Sequence, residues 1–220
     1  MMNNKKQSTF LFLLATIAWM LFVLSVSIAV PLVCRPFYYA HIHAMEMPQK
    51  TGLTEQEIRE AFDEMMDFCV FGKEFGTGVL PWSESGKAHF EDCAFLFRLD
   101  FVAVGVSIVI LMICLVLEKS GRMPARPLGR GPKFWGGILL GAVFLLIAGV
   151  AAIDFDRAFV IFHQLFFPGK DNWIFYPSMD GIILILPEEF FRNCAILIVG
   201  VMVVLCVGLM VWDKRERKSE

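Results

Sequence analysis

Four stretches of this chain run without a single charged residue: 10–33, 101–117, 134–153 and 194–212. A helix that crosses the hydrocarbon core of a bilayer needs about 20 apolar residues, with a range of roughly 17–25, and all four fall within it. Inside lipid every backbone N–H and C=O must find its partner within the segment, so runs of this kind are helices. Hydrophobic residues make up 57% of the chain, against about 45–50% in soluble domains. The expected class is an α-helical integral membrane protein with four transmembrane helices.

The first run invites a second reading. Lys5 and Lys6 precede it and the small residues of "SVSIAVP" end it, as in a cleaved signal peptide. Its apolar part is long for a signal core, and Val33 stands where a lipobox ending at Cys34 would carry a small residue. The run is therefore read as a retained anchor.

Basic residues orient the spans. The 118–133 loop holds Lys119, Arg122, Arg126, Arg130 and Lys133 against Glu118 alone, and the tail adds Lys214, Arg215, Arg217 and Lys218. In 34–100 and 154–193 acids outnumber bases. Cytoplasmic loops carry the excess of Lys and Arg, which places 1–9, 118–133 and 213–220 inside and the two acidic segments outside. The net charge of −2 conceals this asymmetry, and no basic patch suggests nucleic acid. Intramembrane charge is sparse, with Asp100, Asp154 and Asp180 all near span edges, which argues against a transporter or channel.

The 34–100 segment is long enough to form a mainly helical extracytoplasmic subdomain. Thr54 with Glu57 forms a capping box, followed by Ile58, Ala61, Phe62, Met65 and Cys69 at helical spacing. Gly72, Gly76, Gly78 and Pro81 mark a loop. Ser83 then caps a helix that passes through His89 and Asp92 toward the second span. The 154–193 segment is aromatic, turns at "PGKDN", and contains "GIILILP", which is too short to span and reads as re-entrant or surface-lying. Cys69 and Cys93 could bridge, but two separate thiols are the simpler reading.

All four histidines, His41, His43, His89 and His163, fall outside the spans. Imidazole, with an unperturbed pKa of about 6.5, is the side chain suited to act as a base near neutral pH. His89 lies shortly before the second span and His163 shortly after the third, so both sit at similar depth and can converge. Each has a plainer reading as well. His163 can be an interfacial aromatic anchor, and His89 can pair locally with Asp92. His41 and His43 lack a third ligand at metal spacing and read as loop residues. Serine-hydrolase, zinc-peptidase and phosphate-loop motifs are missing. "EEFFR" at 188–192 and the Phe159–His163 spacing partly match membrane glutamic proteases of the CAAX type, but one residue short and in the wrong order. A non-enzymatic membrane partner, using the acidic helix at 54–70, is the third option.

The stretch H-F-E-D-C-A-F-L-F at 89–97, with F-H-Q-L-F-F at 162–167, D-N-W-I-F-Y-P at 171–177 and I-L-P-E-E-F-F at 185–191, resembles the lipoprotein intramolecular transacylase (Lit) family. The family's usual Asp-Val after the histidine stands here as Asp92-Cys93. The resemblance implies a bacterial membrane acyltransferase acting on diacylglyceryl-modified lipoproteins. It would move the sn-2 acyl chain onto the α-amino group of the N-terminal cysteine at the outer leaflet, giving the lyso-form. It further implies that His89 and His163 form the catalytic centre, with no cofactor or metal. Asp92 is the candidate to orient a ring, and Trp173 and Tyr176 the candidates to line a lipid entrance.

Overall fold

The computed structural model describes residues 7–219. Lys5 and Lys6, which contribute to the expected inward charge, lie outside the described residues, as does Glu220. Among the described residues, four helices are long and apolar enough to cross a membrane: α1 (Thr9–Val33), α5 (Glu84–Lys119), α6 (Pro132–Ala151) and α8 (Glu188–Ser219). Between α1 and α5 lie α2 (Arg35–Ala44), α3 (Met47–Thr51) and α4 (Glu55–Phe71), and α7 (Phe155–Phe166) follows α6.

The chain divides into two compact units. One takes in the stretch ending at Ile28, Asp100–Gly149 and the stretch from Ile198. Its core is Val23, Leu140, Met202, Cys206 and Leu209. Two adjacent glycines let α6 approach its neighbours. A Cβ at Gly136 would meet the Thr16 carbonyl at 3.3 Å, and one at Gly137 the Cys206 carbonyl at 2.8 Å. Membrane helices pack through such small residues because lipid gives no hydrophobic push between apolar helices. The opposite faces leave Val102, Val109, Val116, Leu146 and Val204 exposed, the side chains that meet acyl chains in a bilayer.

The second unit consists of Ala29–Leu99 and Val150–Leu197. Thr54 caps α4 as expected: its Oγ1 accepts from Glu57 N, while Glu57 Oε2 accepts from Thr54 N at 2.8 Å. Gly72 ends the helix in the left-handed conformation at φ 69°. The apolar face of α4 packs on α2, with Tyr38 stacked on Phe62 at 3.5 Å between ring centroids. Arg35 reaches Asp67 at 2.9 Å. His41 and His43 therefore lie on a helix, not in a loop. Pro36 in the first turn of α2 is where a helix tolerates proline.

The "GIILILP" stretch also differs from expectation. Gly181–Leu184 is a 3₁₀ turn, and Ile182, Ile185 and Leu186 belong to the core of this unit, so the stretch is not surface-lying. Its backbone polar groups are met by protein, with Tyr38 Oη donating to the Ile185 carbonyl at 2.9 Å and Gly181 N to the Pro81 carbonyl at 2.8 Å. Met backbone groups are what make burial of so apolar a segment favourable.

Candidate active site

His89 is placed by the start of α5. Ser83 Oγ accepts from Gly86 N at 3.0 Å, capping the helix two turns before the histidine. Ser83 is in turn held by Asp180, whose Oδ1 accepts from Ser83 N at 2.8 Å and whose two oxygens both lie 2.9 Å from Ser83 Oγ. Asp180 is buried, so this carboxylate fastens the second outer segment to the helix that carries His89. Gly86 leaves room for it: a Cβ there would stand 2.1 Å from Asp180 Oδ1.

His163 is placed by α7. Asp154 caps that helix, its Oδ1 accepting from Arg157 N at 3.0 Å. The helix turns His163 inward while Ile161, Phe162, Leu165 and Phe166 stay exposed.

The two imidazoles meet. Their centroids are 5.8 Å apart at 33°, and only 5% of His89 and 7% of His163 remain exposed. Phe167 and Phe175 stand edge-on to His89 at 4.9 and 5.5 Å. His163 lies between Phe159 at 4.2 Å and Trp173, stacked at 4.7 Å. The surroundings of both rings are therefore largely aromatic.

Hydrogen bonds distinguish the rings. His163 Nδ1 is 2.7 Å from the Phe159 carbonyl oxygen. A carbonyl only accepts, so Nδ1 carries the hydrogen and Nε2 keeps its lone pair. On His89, Nε2 lies 3.5 Å from Cys93 Sγ, while Nδ1 is buried with no partner. A buried ring nitrogen without a partner costs free energy unless a ligand meets it.

Burial, then the neighbouring charge His163 would carry, pushes the pKa of His89 down to about 4. His163 is also lowered by burial, with its bond to the Phe159 carbonyl working the other way. Both rings are therefore neutral at pH 7. His89 lies ahead of Asp100 and of the charge-free part of α5. Below pH 6.5 the unfolded chain takes up a proton that folded His89 refuses until about pH 4, so stability is present above that window and is lost as pH falls through it. Melting temperature should drop between pH 6.5 and 4, and His89→Gln should flatten the drop.

The other expected site residues divide. Asp92 is hydrogen-bonded not to an imidazole but to Lys170 Nζ at 2.5 Å and Asn172 Nδ2 at 3.1 Å, and it acts on His89 only as a nearby charge. Burial would raise its pKa, but those two partners outweigh it and hold the carboxyl below its ordinary value. It thus anchors the 168–172 turn, whose Lys170 carbonyl accepts from Trp173 Nε1 at 3.1 Å. Trp173 lies against the face of His163. Tyr176 is 62% exposed and makes no ring contact with either histidine. His41 is bonded to the Phe37 carbonyl and Asn193, and His43 to Glu55. Glu188 and Glu189 are exposed at the start of α8, with Glu189 3.4 Å from Arg192. Sequence reasoning missed Asp180, Ser83 as its partner, Gly86, and Cys93 as a neighbour of His89. Only the i, i+4 spacing of His89 and Cys93 offered a local signal.

The model of the family described as "Lipoprotein intramolecular transacylase Lit" matches residues 13–191. A solved structure of the membrane integral lipoprotein intramolecular transacylase Lit from Bacillus cereus is similar to this chain with a TM-score of 0.83. Identity is 24%, over 96% of this chain and 97% of that one. Two variants of that protein, with a histidine replaced by arginine or by alanine, are similar with TM-scores of 0.78 at 24% and 23% identity. They cover 96% of this chain and 94% and 95% of theirs. No curated protein sequence matches. The solved structures share the four-helix membrane fold, and because the family model spans most of its length, this chain belongs to the lipoprotein intramolecular transacylase family.

Proposed function

We propose that the protein moves the sn-2 acyl chain of a diacylglyceryl-modified lipoprotein to the α-amino group of the same N-terminal cysteine, by histidine acid–base catalysis at the outer leaflet. The observation that carries this reading is the facing pair of buried imidazoles 5.8 Å apart, one of them with its lone pair directed by a fixed tautomer.

The substrate ammonium, whose pKa is about 7.7–8.0, gives its first proton to solvent. The freed amine attacks the ester carbonyl carbon while His163 Nε2 takes a second proton from its nitrogen, the carbonyl π pair moves to oxygen, and His89 stabilises that oxyanion. Collapse breaks the bond to the glyceryl oxygen, and the His163 imidazolium returns the proton to the departing alkoxide. The lowered pKa of His163 makes its imidazolium a better acid for that step. Trp173 and Phe159 flank the ring and offset part of the cost of charging it, by about 0.5–2 kcal/mol. Nucleophile and ester belong to one molecule, so positioning contributes effective molarities of about 10⁵ M or more. No enzyme nucleophile is required. The phenylalanines around the dyad accommodate acyl chain, and the exposed face of α7 rests in the membrane lipid. Both termini are cytoplasmic, on the strength of the basic 118–133 loop and tail.

Substrate and product are isomers, so the intact mass does not change. The test is fragmentation mass spectrometry of N-terminal lipopeptides from a bacterium that makes only diacyl lipoproteins. On expression of this chain, one acyl group should move from the neutral thioglycerol loss to the fragment bearing the α-nitrogen. Retention of both acyl groups on glycerol would overturn the proposal.

A further inference from the structure

We infer that Cys93 is a positioning residue that sets the tautomer of His89, making its Nδ1–H the donor that faces the reacting oxygen. The identity of that oxygen rests on the transacylase reading above; the tautomer rests on the geometry alone. Cys93 follows His89 by one helical turn, and its Sγ lies 3.5 Å from Nε2. Two arrangements of hydrogen are open. If Nε2–H donates to sulfur, the S–H and the bare Nδ1 are both left unmet. If S–H donates to Nε2, the thiol hydrogen and the Nε2 lone pair satisfy each other, and Nδ1–H alone remains. Imidazole nitrogen is also a far better acceptor than sulfur. The second arrangement leaves fewer unmet buried groups, and unmet buried groups are what cost stability.

The remaining group is then a donor. It is buried and without a protein partner, on a ring 5.8 Å from His163. One ring presents a lone pair and the other an N–H, the two functions that attack by an amine on an ester requires. With the opposite tautomer the pair would offer two lone pairs and nothing for the oxyanion.

A thiol beside an imidazole is also the arrangement of a cysteine nucleophile. Burial argues against that role, pushing the Cys93 thiol well above its ordinary range, with Cys69 and Asp92 adding to the effect. The thiol keeps its hydrogen and has it to give.

The test uses full-length protein in detergent with ¹⁵N-labelled histidine, alongside steady-state turnover. In the wild type, His89 should show a protonated Nδ1 and a bare Nε2. Cys93→Val should lose that preference and lower kcat about three- to tenfold, the scale of one weak hydrogen bond, with KM unchanged. Cys93→Ser, which keeps a donor, should restore both. A wild-type ring protonated at Nε2, or an unchanged tautomer in Cys93→Val, would overturn the inference. So would an acyl thioester trapped on Cys93 with turnover abolished in Cys93→Val. The spectra need no substrate, so an inactive wild type with this tautomer pattern would count against the transacylase reading only.

Discussion

His163→Ala should abolish lyso-form product, with turnover down about 10²–10⁴-fold, the range that a positioned acid–base group supplies. The loss arises from the ring alone, since the replaced side chain makes one hydrogen bond, to a carbonyl on its own helix. α7 should persist and the variant should elute as wild type, while melting lower because the missing ring leaves a cavity among Phe159, Trp173 and His89. His163→Gln tests the same point with a side chain of similar reach that cannot take the proton. His89→Ala should be severe too, and the double variant little worse than His163→Ala, because groups that act as a unit are not additive. Wild-type rates in purified His163→Ala would remove the mechanism.

The second large effect lies away from the chemistry. Gly86→Ala should destabilise the protein by about 2–4 kcal/mol, combining overpacking with damage to buried charge-assisted hydrogen bonds. A Cβ there would stand 2.1 Å from Asp180 Oδ1, 2.8 Å from its carboxyl carbon and 3.2 Å from Phe175 Cε1. Neither neighbour has an easy exit. Asp180 is buried and bonded to Ser83, and Phe175 packs against His89 and Phe90. Displacement of either moves the wall of the dyad, so turnover should fall with stability. Ser85→Ala, on the exposed neighbour, should change neither. A Gly86→Ala protein with wild-type melting and kcat would show that the Asp180 latch is unimportant.

What could be read from the linear chain was whatever a few consecutive residues encode. The four charge-free runs, the Thr54–Glu57 box and the Ser83 cap depend on spacing within a turn or a span, and each is found. The meeting of His89 and His163 followed from equal depth beside neighbouring spans, a geometric argument that needs no tertiary detail. α7 had a legible cap in Asp154, but the 154–193 segment read only as aromatic and turning, with no helix assigned to it. The residues that hold the site pair across long separations. Ser83 and Asp180 are 97 positions apart, and Asp92 and Asn172 are 80 apart. No local pattern announces such partners. Asp92 looked like an orienting group for its helical neighbour because its true partners sit in a distant turn. "GIILILP" gave no sign of its burial because the Tyr38 hydroxyl that donates to its Ile185 carbonyl is 147 positions away.

The carbonyl that aligns His163 belongs to Phe159, one coil earlier in the same short segment. Readiness for proton transfer is thus a local property, inherited from the winding of twelve residues whose outer side is apolar and exposed. A treatment that unwound this one coil would silence the enzyme while its long helices still looked intact by circular dichroism.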